Sequence, residues 1–525
     1  MSGQGYERTG NPDAWREARR FVVLDASGEA PGTVFPTVYV ADELLLDPGP
    51  VEADVLGALQ KLAVDAGWSV DPDPATPRAA ETAADERSRG ASESVRVRLS
   101  VTPGWEGVAA TPDAWSLLRR ARGTGWGSRG ISLHHVLTID SLGVNPFTAN
   151  PFTANPFTAN PFTANPFTAN PFTANPFTAN AGTVGIGSYG AIGCGGRQPV
   201  TYLGPEPARR HPEAVRPIVA VLDTGCGRHP WLEHALVEPR LGTGRLIGID
   251  PGTPADPDYD PARARDPEAD PRRDEPLDGL IDVAAGHGTF IAGIIRQECP
   301  DALILPVRVA DADGVILEDD LLQALGRLID FMDDTALEKE RGGSRVAVLN
   351  LSFGFFHERP GDTSTLSELA RLLDEIRKRD CVVVCSAGNE ATTRPTYPAS
   401  IPAEQPGRQV SVGALNPSDR SVALFSNIGD WVDVYAPGVA VLSTLPVDFE
   451  GGVQAGTRDD RRGRRRETLD LDDFRGGFGV WSGTSFAAPV VAGRIAEQLL
   501  AGASPEEARK AALHELDAED LSRMT

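Results

Sequence analysis

Apolar residues in the first third of the chain recur with the periods of strands and helices. Residues 94–101 alternate, with Val95, Val97, Leu99 and Val101 on one face, which predicts a half-buried strand. Further strands are predicted at residues 21–24, 37–46, 68–70 and 131–139, and helices at 51–66 and at 111–122, the second capped by Thr111. From residue 37 onward the order is strand, helix, strand, strand, helix, strand. This order describes a small ferredoxin-like α+β sandwich, with a loose insertion at 71–92.

A second set of apolar runs begins after residue 215. Residues 218–222, 346–351 and 381–385 are short runs rich in Val, Leu and Ile, which predict buried strands of an α/β sheet. Helices are predicted between these strands, at 319–332 and 366–378. The chain is therefore expected to have a larger α/β unit after the small α+β one.

The pentapeptide Pro-Phe-Thr-Ala-Asn occurs seven times between these two parts, from Pro146 to Asn180. A period of five fits neither helix nor strand, and each Asn-Pro step favours a turn and lacks a backbone donor. We interpret the array as an extended spacer, with a multivalent ligand for a protein groove as the alternative. Residues 185–190 match G-x-G-x-x-G, but no strand is predicted before them and no helix after them, so they are interpreted as linker.

These patterns divide the chain into five predicted parts. They are a disordered N-terminus (1–20), a ferredoxin-like module (21–140), a linker with the repeats (141–214), an α/β domain (215–503) and a C-terminal helical tail (504–525).

Composition narrows the classes of partner. The chain has 525 residues and a formal net charge of −24, which disfavours nucleic acid and anionic membranes as partners. No apolar run reaches the roughly 18 residues of a membrane-spanning helix, and the N-terminus lacks the hydrophobic segment of a secretory signal. The five scattered cysteines do not form a disulfide framework. Together these features predict a cytoplasmic protein.

Three polar residues stand where apolar segments begin or end. Ser485 precedes an Ala- and Val-rich run and is expected in the first turn of a buried helix, where backbone N–H groups favour an oxyanion. Capping the helix is the commoner role of serine there. His287 precedes another apolar run, and Asp223 ends the strand at 218–222, at the edge where active sites of α/β sheets collect. Asp, His, Ser is one of the known orders of a catalytic triad.

A fourth block, Ser386-Ala387-Gly388-Asn389, follows the strand at 381–385 and offers a side-chain amide donor. Over roughly residues 215–500, the four blocks together resemble the subtilisin-like serine proteases, the subtilases. The resemblance implies a subtilisin-like parallel sheet with helices on both faces and a serine endopeptidase activity on protein or peptide substrates. It implies a triad of Asp223, His287 and Ser485, with Asn389 in the oxyanion hole. It further implies substrate-binding roles for Ser352, Phe353, Gly354, Ser386, Ala387 and Gly388.

Subtilases are commonly preceded by a small pro-domain that assists folding and blocks the active site until it is cut off. The order of elements in residues 21–140 implies this role by analogy, which makes the chain's own N-terminal domain a candidate inhibitor. Cleavage within the same molecule is then expected between about Ser141 and Pro217.

Two charged insertions interrupt the α/β domain. Residues 250–278 are rich in Asp and Pro and are expected to form a solvated loop. Its carboxylates could bind calcium, as surface loops of subtilases often do, but their spacing does not match an EF-hand, so no metal ligand is assigned. No cofactor is expected to be required. The arginine-rich residues 461–466 are expected to be a disordered surface loop, with docking on the Asp-rich loop or a role as a cleavage site as the alternatives.

Two other functions compete with the endopeptidase. Asp223-Thr224-Gly225 also fits an aspartic protease, but that chemistry needs two facing carboxylates, and no second Asp-Thr-Gly occurs. The alternative is a catalytically silent binding protein that uses the repeat array or the substrate groove. A decayed site would normally have lost one member, so the presence of all four blocks favours the enzyme.

Overall fold

A computed structural model of the chain describes residues 20–24, 33–46, 52–72, 94–105, 109–124, 130–139, 186, 189, 195–250, 265–272, 279–359, 366–453, 457–469 and 473–524. The repeats and most of both the 71–92 and 250–278 insertions lie outside these residues. Among the described residues, no helix is long and apolar enough to cross a lipid bilayer.

The strands within these ranges are β1 (Phe21–Val23), β2 (Val38–Leu46), β3 (Trp68–Pro72), β4 (Val95–Val101), β5 (Ile131–Ile139), β6 (Gln198–Pro199), β7 (Ile218–Asp223), β8 (Leu303–Arg308), β9 (Val315–Leu317), β10 (Val346–Leu351), β11 (Phe353–Gly354), β12 (Val382–Ser386), β13 (Gln409–Leu415), β14 (Val434–Pro437), β15 (Val441–Thr444), β16 (Arg458–Arg461), β17 (Arg464–Glu467) and β18 (Phe478–Trp481).

The α-helices are α1 (Glu52–Val64), α2 (Ala114–Gly123), α3 (His287–Glu298), α4 (Glu318–Asp333), α5 (Thr335–Glu340), α6 (Ser367–Arg377), α7 (Thr484–Leu500) and α8 (Pro505–Met524). Short 3₁₀ turns lie at Pro406–Arg408 and Asp473–Gly476.

The N-terminal module, residues 20–139 as far as they are described, is built on one antiparallel sheet. Its strands lie in the order β5-β2-β4-β3, and β1 pairs with the N-terminal end of β2. Helices α1 and α2 contact each other and cover the apolar core, which includes Leu44, Leu59, Leu117 and Leu133. This arrangement is compatible with the predicted ferredoxin-like sandwich.

The C-terminal region, residues 195–524 as far as they are described, is built on a parallel sheet in the order β14-β13-β12-β10-β7-β8. Helix α3 packs on α7, and α4 packs on α6. The predicted α/β class and its parallel sheet are confirmed. Because the strands run in the same direction, the carboxyl ends of β7, β10 and β12 meet at one edge, and the segments that follow them can share a site.

The two units meet around β5. Strand β9 pairs with β5 on one side, joining Val315 to Thr138, and β11 pairs with it on the other, joining Gly354 to the same Thr138. Both pairings are antiparallel. The last strand of the N-terminal module is therefore the middle strand of a sheet whose outer strands belong to the C-terminal region.

The structure corrects two local predictions. Helix α2 is capped by Asp113, whose carboxylate accepts a hydrogen bond from the Ser116 N–H at 2.9 Å, so the prediction of Thr111 as the cap is wrong. The arginine-rich segment is also not a disordered loop, since β16 and β17 pair as a hairpin. The hairpin also contains an ion pair, since Arg458 pairs with Glu467 across it at 2.9 Å.

Candidate active site

The structure brings Asp223 and His287 together across the edge of the parallel sheet. Asp223 is the last residue of β7, and His287 is the first residue of α3. Nδ1 of His287 lies 2.7 Å from Oδ1 of Asp223, and both side chains are fully buried. The Thr224 N–H donates to the same carboxylate oxygen at 2.8 Å. These contacts fix the imidazole with its Nε2 edge away from the carboxylate.

Glycines on both sides of His287 allow this approach. Gly286 has a φ of 80°, in the left-handed region, and a Cβ there would lie 2.7 Å from Leu445. A Cβ on Gly288 would lie 2.1 Å from the carbonyl oxygen of Gly225. Any side chain at Gly288 would therefore push α3 away from the turn that follows Asp223.

Ser485 is the second residue of α7 and is fully buried, as predicted for a serine in a first helical turn. Its Oγ donates to the carbonyl oxygen of Ser352 at 3.0 Å, and the described contacts include no hydrogen bond between it and His287. Nε2 of His287 has no hydrogen-bond partner among the described residues. A basic nitrogen and a hydroxyl are thus both present, and a rotation of the serine side chain has to join them.

Asn389 follows β12 and is oriented by α7. Its Oδ1 accepts hydrogen bonds from the N–H and the hydroxyl of Thr484, each at 3.0 Å. This leaves Nδ2, a buried donor without a hydrogen-bond partner among the described residues. Buried donors are nearly always paired, so this donor beside the Ser485 turn is able to take an additional acceptor.

The residues predicted to bind substrate fall into two groups. Phe353 and Gly354 form β11, and their backbone pairs with Ile139 and Thr138 of the N-terminal module. Ser352 precedes β11 and contacts Ser485. In the second group, Ala387 donates to Val412 at 2.9 Å, and the Gly388 N–H donates to the Thr484 hydroxyl at 3.1 Å. The backbone donors of these two residues are therefore engaged within the C-terminal region.

Glu268 is a buried member of the site that the sequence patterns did not indicate. It belongs to the insertion predicted to be solvated, yet only 2% of its surface is exposed, so that prediction is wrong for this residue. The Thr224 hydroxyl contacts both the Asp223 and the Glu268 carboxylates, and Thr289 donates to Glu268 at 2.6 Å. Glu268 thus ties the turn after β7 to the first turn of α3. No sequence signal marks it, because it is one acidic residue among many.

Burial gives Glu268 a predictable effect on stability. It raises the pKa of the carboxyl from 4.5 to about 7, against the hydrogen bonds from Thr224 and Thr289. The folded state therefore keeps a proton that the unfolded state loses, and this contribution is lost as the pH rises from about 4.5 through 7. At about 1.4 kcal/mol per pKa unit, the loss is on the order of 3 kcal/mol.

We expect Glu268→Gln to remove this pH-dependent loss of folding stability. The free energy of unfolding of the variant relative to the parent should rise between pH 5 and pH 8, measured by urea unfolding in a Ser485→Ala background that prevents self-digestion. Glu233→Gln, which changes an exposed carboxyl, is the matched control. Parallel pH profiles for the parent and Glu268→Gln would contradict the assignment.

Aromatic rings enclose the histidine. The ring centroids of Trp481 and Phe486 lie 5.6 and 5.1 Å from that of His287. Arg197 lies over the ring of Trp481, 4.7 Å from its centroid. This packing limits the positions open to the imidazole and keeps solvent from its buried side.

The chain is similar to known proteins over its C-terminal region. The model of the subtilase family, described as "Peptidase_S8: Subtilase family", matches residues 216–523. A thermophilic serine proteinase of Bacillus sp. (strain AK1) is 31% identical over 235 residues, 43% of this chain and 45% of that protein. Subtilisin NAT of Bacillus subtilis subsp. natto is 28% identical over 221 residues, which are 40% of this chain and 45% of that protein. An intracellular serine protease of Paenibacillus polymyxa is 27% identical over 294 residues, which are 53% of this chain and 65% of that protein. The matched stretch spans less than half of the length of the first two relatives.

Proposed function

The chain belongs to the subtilase family, and from this premise we propose that it is a serine endopeptidase with Asp223, His287 and Ser485 as its catalytic triad. The 2.7 Å hydrogen bond between Asp223 and His287 is the observation that carries the proposal, because it orients a buried imidazole whose Nε2 has no partner among the described residues. A buried basic nitrogen without a partner has little structural use. Beside a serine in the first turn of a helix, it fits a general base.

The chemistry follows from these side chains. A serine hydroxyl is a weak nucleophile at neutral pH, so His287 accepts the Ser485 proton during attack on the substrate carbonyl and returns it to the leaving amine. Asp223 holds the imidazole through Nδ1 and stabilises its charged form. For attack, the Ser485 hydroxyl has to leave the Ser352 carbonyl and turn to Nε2, a contact that in many hydrolases tightens only when substrate is bound.

Negative charge on the substrate oxygen needs donors that are already in place. The proposed donors are Nδ2 of Asn389 and the backbone N–H of Ser485. The two hydrogen bonds from Thr484 hold the Asn389 amide before substrate arrives, so no reorganisation is needed when the charge develops.

Covalent labelling tests the proposal directly. A fluorophosphonate probe should label the wild-type chain at Ser485, and the labelling should be lost in both Ser485→Ala and His287→Ala, because only a hydroxyl activated by a base reacts quickly. Ser504→Ala, which changes an exposed serine before α8, should label like the wild type. A folded wild-type chain that stays unlabelled after its linker has been cut would instead support a catalytically silent binding protein.

We propose in addition that the N-terminal module is an inhibitor of this site. Extended substrates add a strand to a sheet edge through backbone hydrogen bonds. Here β5 already fills that place between β9 and β11, and the Ile139 N–H also donates to the Gly314 carbonyl oxygen at 3.0 Å. A peptide that pairs with β11 would have to displace β5.

The register of β5 indicates where the chain would be cut. Ile139 pairs with Phe353, the residue after Ser352, and Ser352 contacts the Ser485 hydroxyl. We therefore expect the cleaved peptide bond to follow Ile139 in the sequence. Downstream, the Ser482 hydroxyl donates to the Gly195 carbonyl oxygen at 2.6 Å, and β6 pairs with β18. These anchors narrow the expected cleavage to residues 140–194.

We expect wild-type chains to cut themselves in this interval at a rate independent of protein concentration, because the segment is attached beside its own active site. Mass spectrometry of the purified chain and of Ser485→Ala measures the outcome. The Ser485→Ala chain should keep its full mass. A fully active wild-type chain that stays intact, or a rate that rises with concentration, would refute cleavage within one molecule.

A further inference from the structure

Three side chains with metal-binding atoms converge where the N-terminal module meets the C-terminal region. His135 comes from β5, and His357 and Glu358 come from the segment after β11. All three are fully buried, and their nearest nitrogen and oxygen atoms lie within 4.8 Å of one another. Nε2 of His135 is 3.0 Å from Oε2 of Glu358, and Nε2 of His357 is 3.5 Å from the same oxygen.

We propose that His135, His357 and Glu358 bind a single Zn²⁺ ion that joins β5 to the C-terminal region. Two imidazole nitrogens and one carboxylate oxygen form a set of ligands that zinc accepts, with one position left for water. In tetrahedral zinc with bonds of about 2.1 Å, neighbouring ligand atoms lie about 3.4 Å apart. The two separations to Oε2 of Glu358, 3.0 and 3.5 Å, bracket that value. All three ligand atoms lie within 4.8 Å of one another, so the two imidazole nitrogens have to approach by at most about 1.4 Å.

The surroundings orient the ligands as in known zinc sites. A zinc-bound histidine usually donates its other ring N–H to a carboxylate or a carbonyl. Nδ1 of His135 lies 2.8 Å from the Glu318 carboxylate, and Nδ1 of His357 lies 3.1 Å from the Arg359 carbonyl oxygen. Arg122 pairs with the other oxygen of Glu358 at 2.7 Å, which leaves Oε2 facing the two rings.

A network of ion pairs without metal is the competing description, because the two imidazoles already lie beside carboxylates. Nδ1 of His357 also lies 3.0 Å from the Arg359 N–H. Metal binding at Nε2 therefore requires the tautomer in which Nδ1 donates to the Arg359 carbonyl oxygen.

The neighbouring His134 has similar surroundings to His135 but, within the described part of the chain, does not belong to a set of metal ligands. It lies on the same strand, is equally buried, and also contacts two carboxylates, Glu43 at 2.7 Å and Asp319 at 2.9 Å. No second imidazole completes a ligand set around it among the described residues. The extra histidine at position 357 is what separates a metal site from a buried ion pair.

The consequence for regulation rests on the proposed function. If β5 blocks the substrate groove, the zinc ion holds it there, and removal of zinc should speed the release of the N-terminal module after cleavage. Metal binding itself does not depend on catalysis, so it can be measured in an inactive chain.

The test uses full-length Ser485→Ala freed of metal by a chelator. Titration with Zn²⁺ followed by calorimetry, together with metal analysis after dialysis, should give one ion per chain. His357→Gln and Glu358→Gln should each weaken binding at least 10- to 100-fold, since even loss of an outer-shell partner has an effect of that size. His134→Gln should bind like the parent. Co²⁺ should give the visible absorption of a four-coordinate site in the parent and in His134→Gln only.

Circular dichroism and thermal unfolding show which variants are folded. Absence of stoichiometric zinc in the folded parent, or equal binding in His357→Gln, would overturn the proposal and favour the ion-pair network. An equal loss in folded His134→Gln would also overturn it. Because every chain in the test carries Ser485→Ala, a failure here leaves the protease proposal standing, and an unlabelled Ser485 leaves the zinc site standing.

Discussion

Ser485→Ala and His287→Ala should each lower kcat by roughly 10⁶, the loss measured for these triad members in subtilisin, and the double variant should lose no more than either single variant. The losses do not add because the hydroxyl and the imidazole act as one unit. With either member gone, the other has no reaction to assist. The rate enhancement that remains in these variants comes from substrate binding and from the oxyanion donors.

The measurement is steady-state hydrolysis of a chromogenic peptide. Self-cleavage fails in both single variants, so every chain should carry a site for an added, specific protease within the repeats at 146–180, and the linker should be cut in all of them. Ser504→Ala, cut in the same way, is the control for handling. Losses that multiply in the double variant, or a Ser485→Ala chain within tenfold of the wild type, would rule out the triad.

Asn389→Ala should lower kcat by roughly 10²–10³ with little change in KM, the size of effect known for the matching oxyanion donor of subtilisin. The side chain stabilises charge that develops only in the transition state, so its loss should leave substrate affinity nearly unchanged. Thr484→Val, which removes the hydroxyl that orients the amide, should give a smaller loss of the same kind. Thr484→Ser should restore activity.

Kinetics on the same peptide substrate separate a catalytic from a structural role for Asn389. A structural role predicts a lower temperature of unfolding and a higher KM together with the lower kcat. A catalytic role predicts the fall in kcat alone, with thermal unfolding close to that of the parent. A KM that rises as much as kcat falls would therefore remove Asn389 from the proposed oxyanion hole.

Much of the candidate site could be read from local sequence. Asp223 ends an apolar strand, Ser485 begins an apolar helix, and Asn389 follows another strand, so short-range patterns placed each at an element boundary. In a parallel sheet the carboxyl ends of strands share an edge, which placed Asp223 where active sites collect. The pairing of Asp223 with His287 was implied by the resemblance to the subtilases, and the hydrogen bond between them agrees with it.

Other features carried no local signal. Glu268 lies in an acidic insertion whose composition predicted solvent exposure, yet it is buried against Thr224 and Thr289. The arginine-rich hairpin was also hidden, since its composition indicates disorder and only the pairing of β16 with β17 reveals a strand pair. For Glu268 the deciding partners are distant in sequence, whereas the hairpin forms between neighbouring segments whose composition concealed it.

The sequence by itself determined the class of the fold, the order of its elements and the residue types of the candidate triad, because hydrophobic periodicity and short motifs are local properties of the chain. Only the tertiary structure decided that β5 lies between β9 and β11, that Glu268 lies beside Asp223, and that His135 meets His357 and Glu358. Those contacts join residues far apart along the chain, and they form only where packing brings separate elements together. Burial then sets the pKa of each group, as the carboxyl of Glu268 shows.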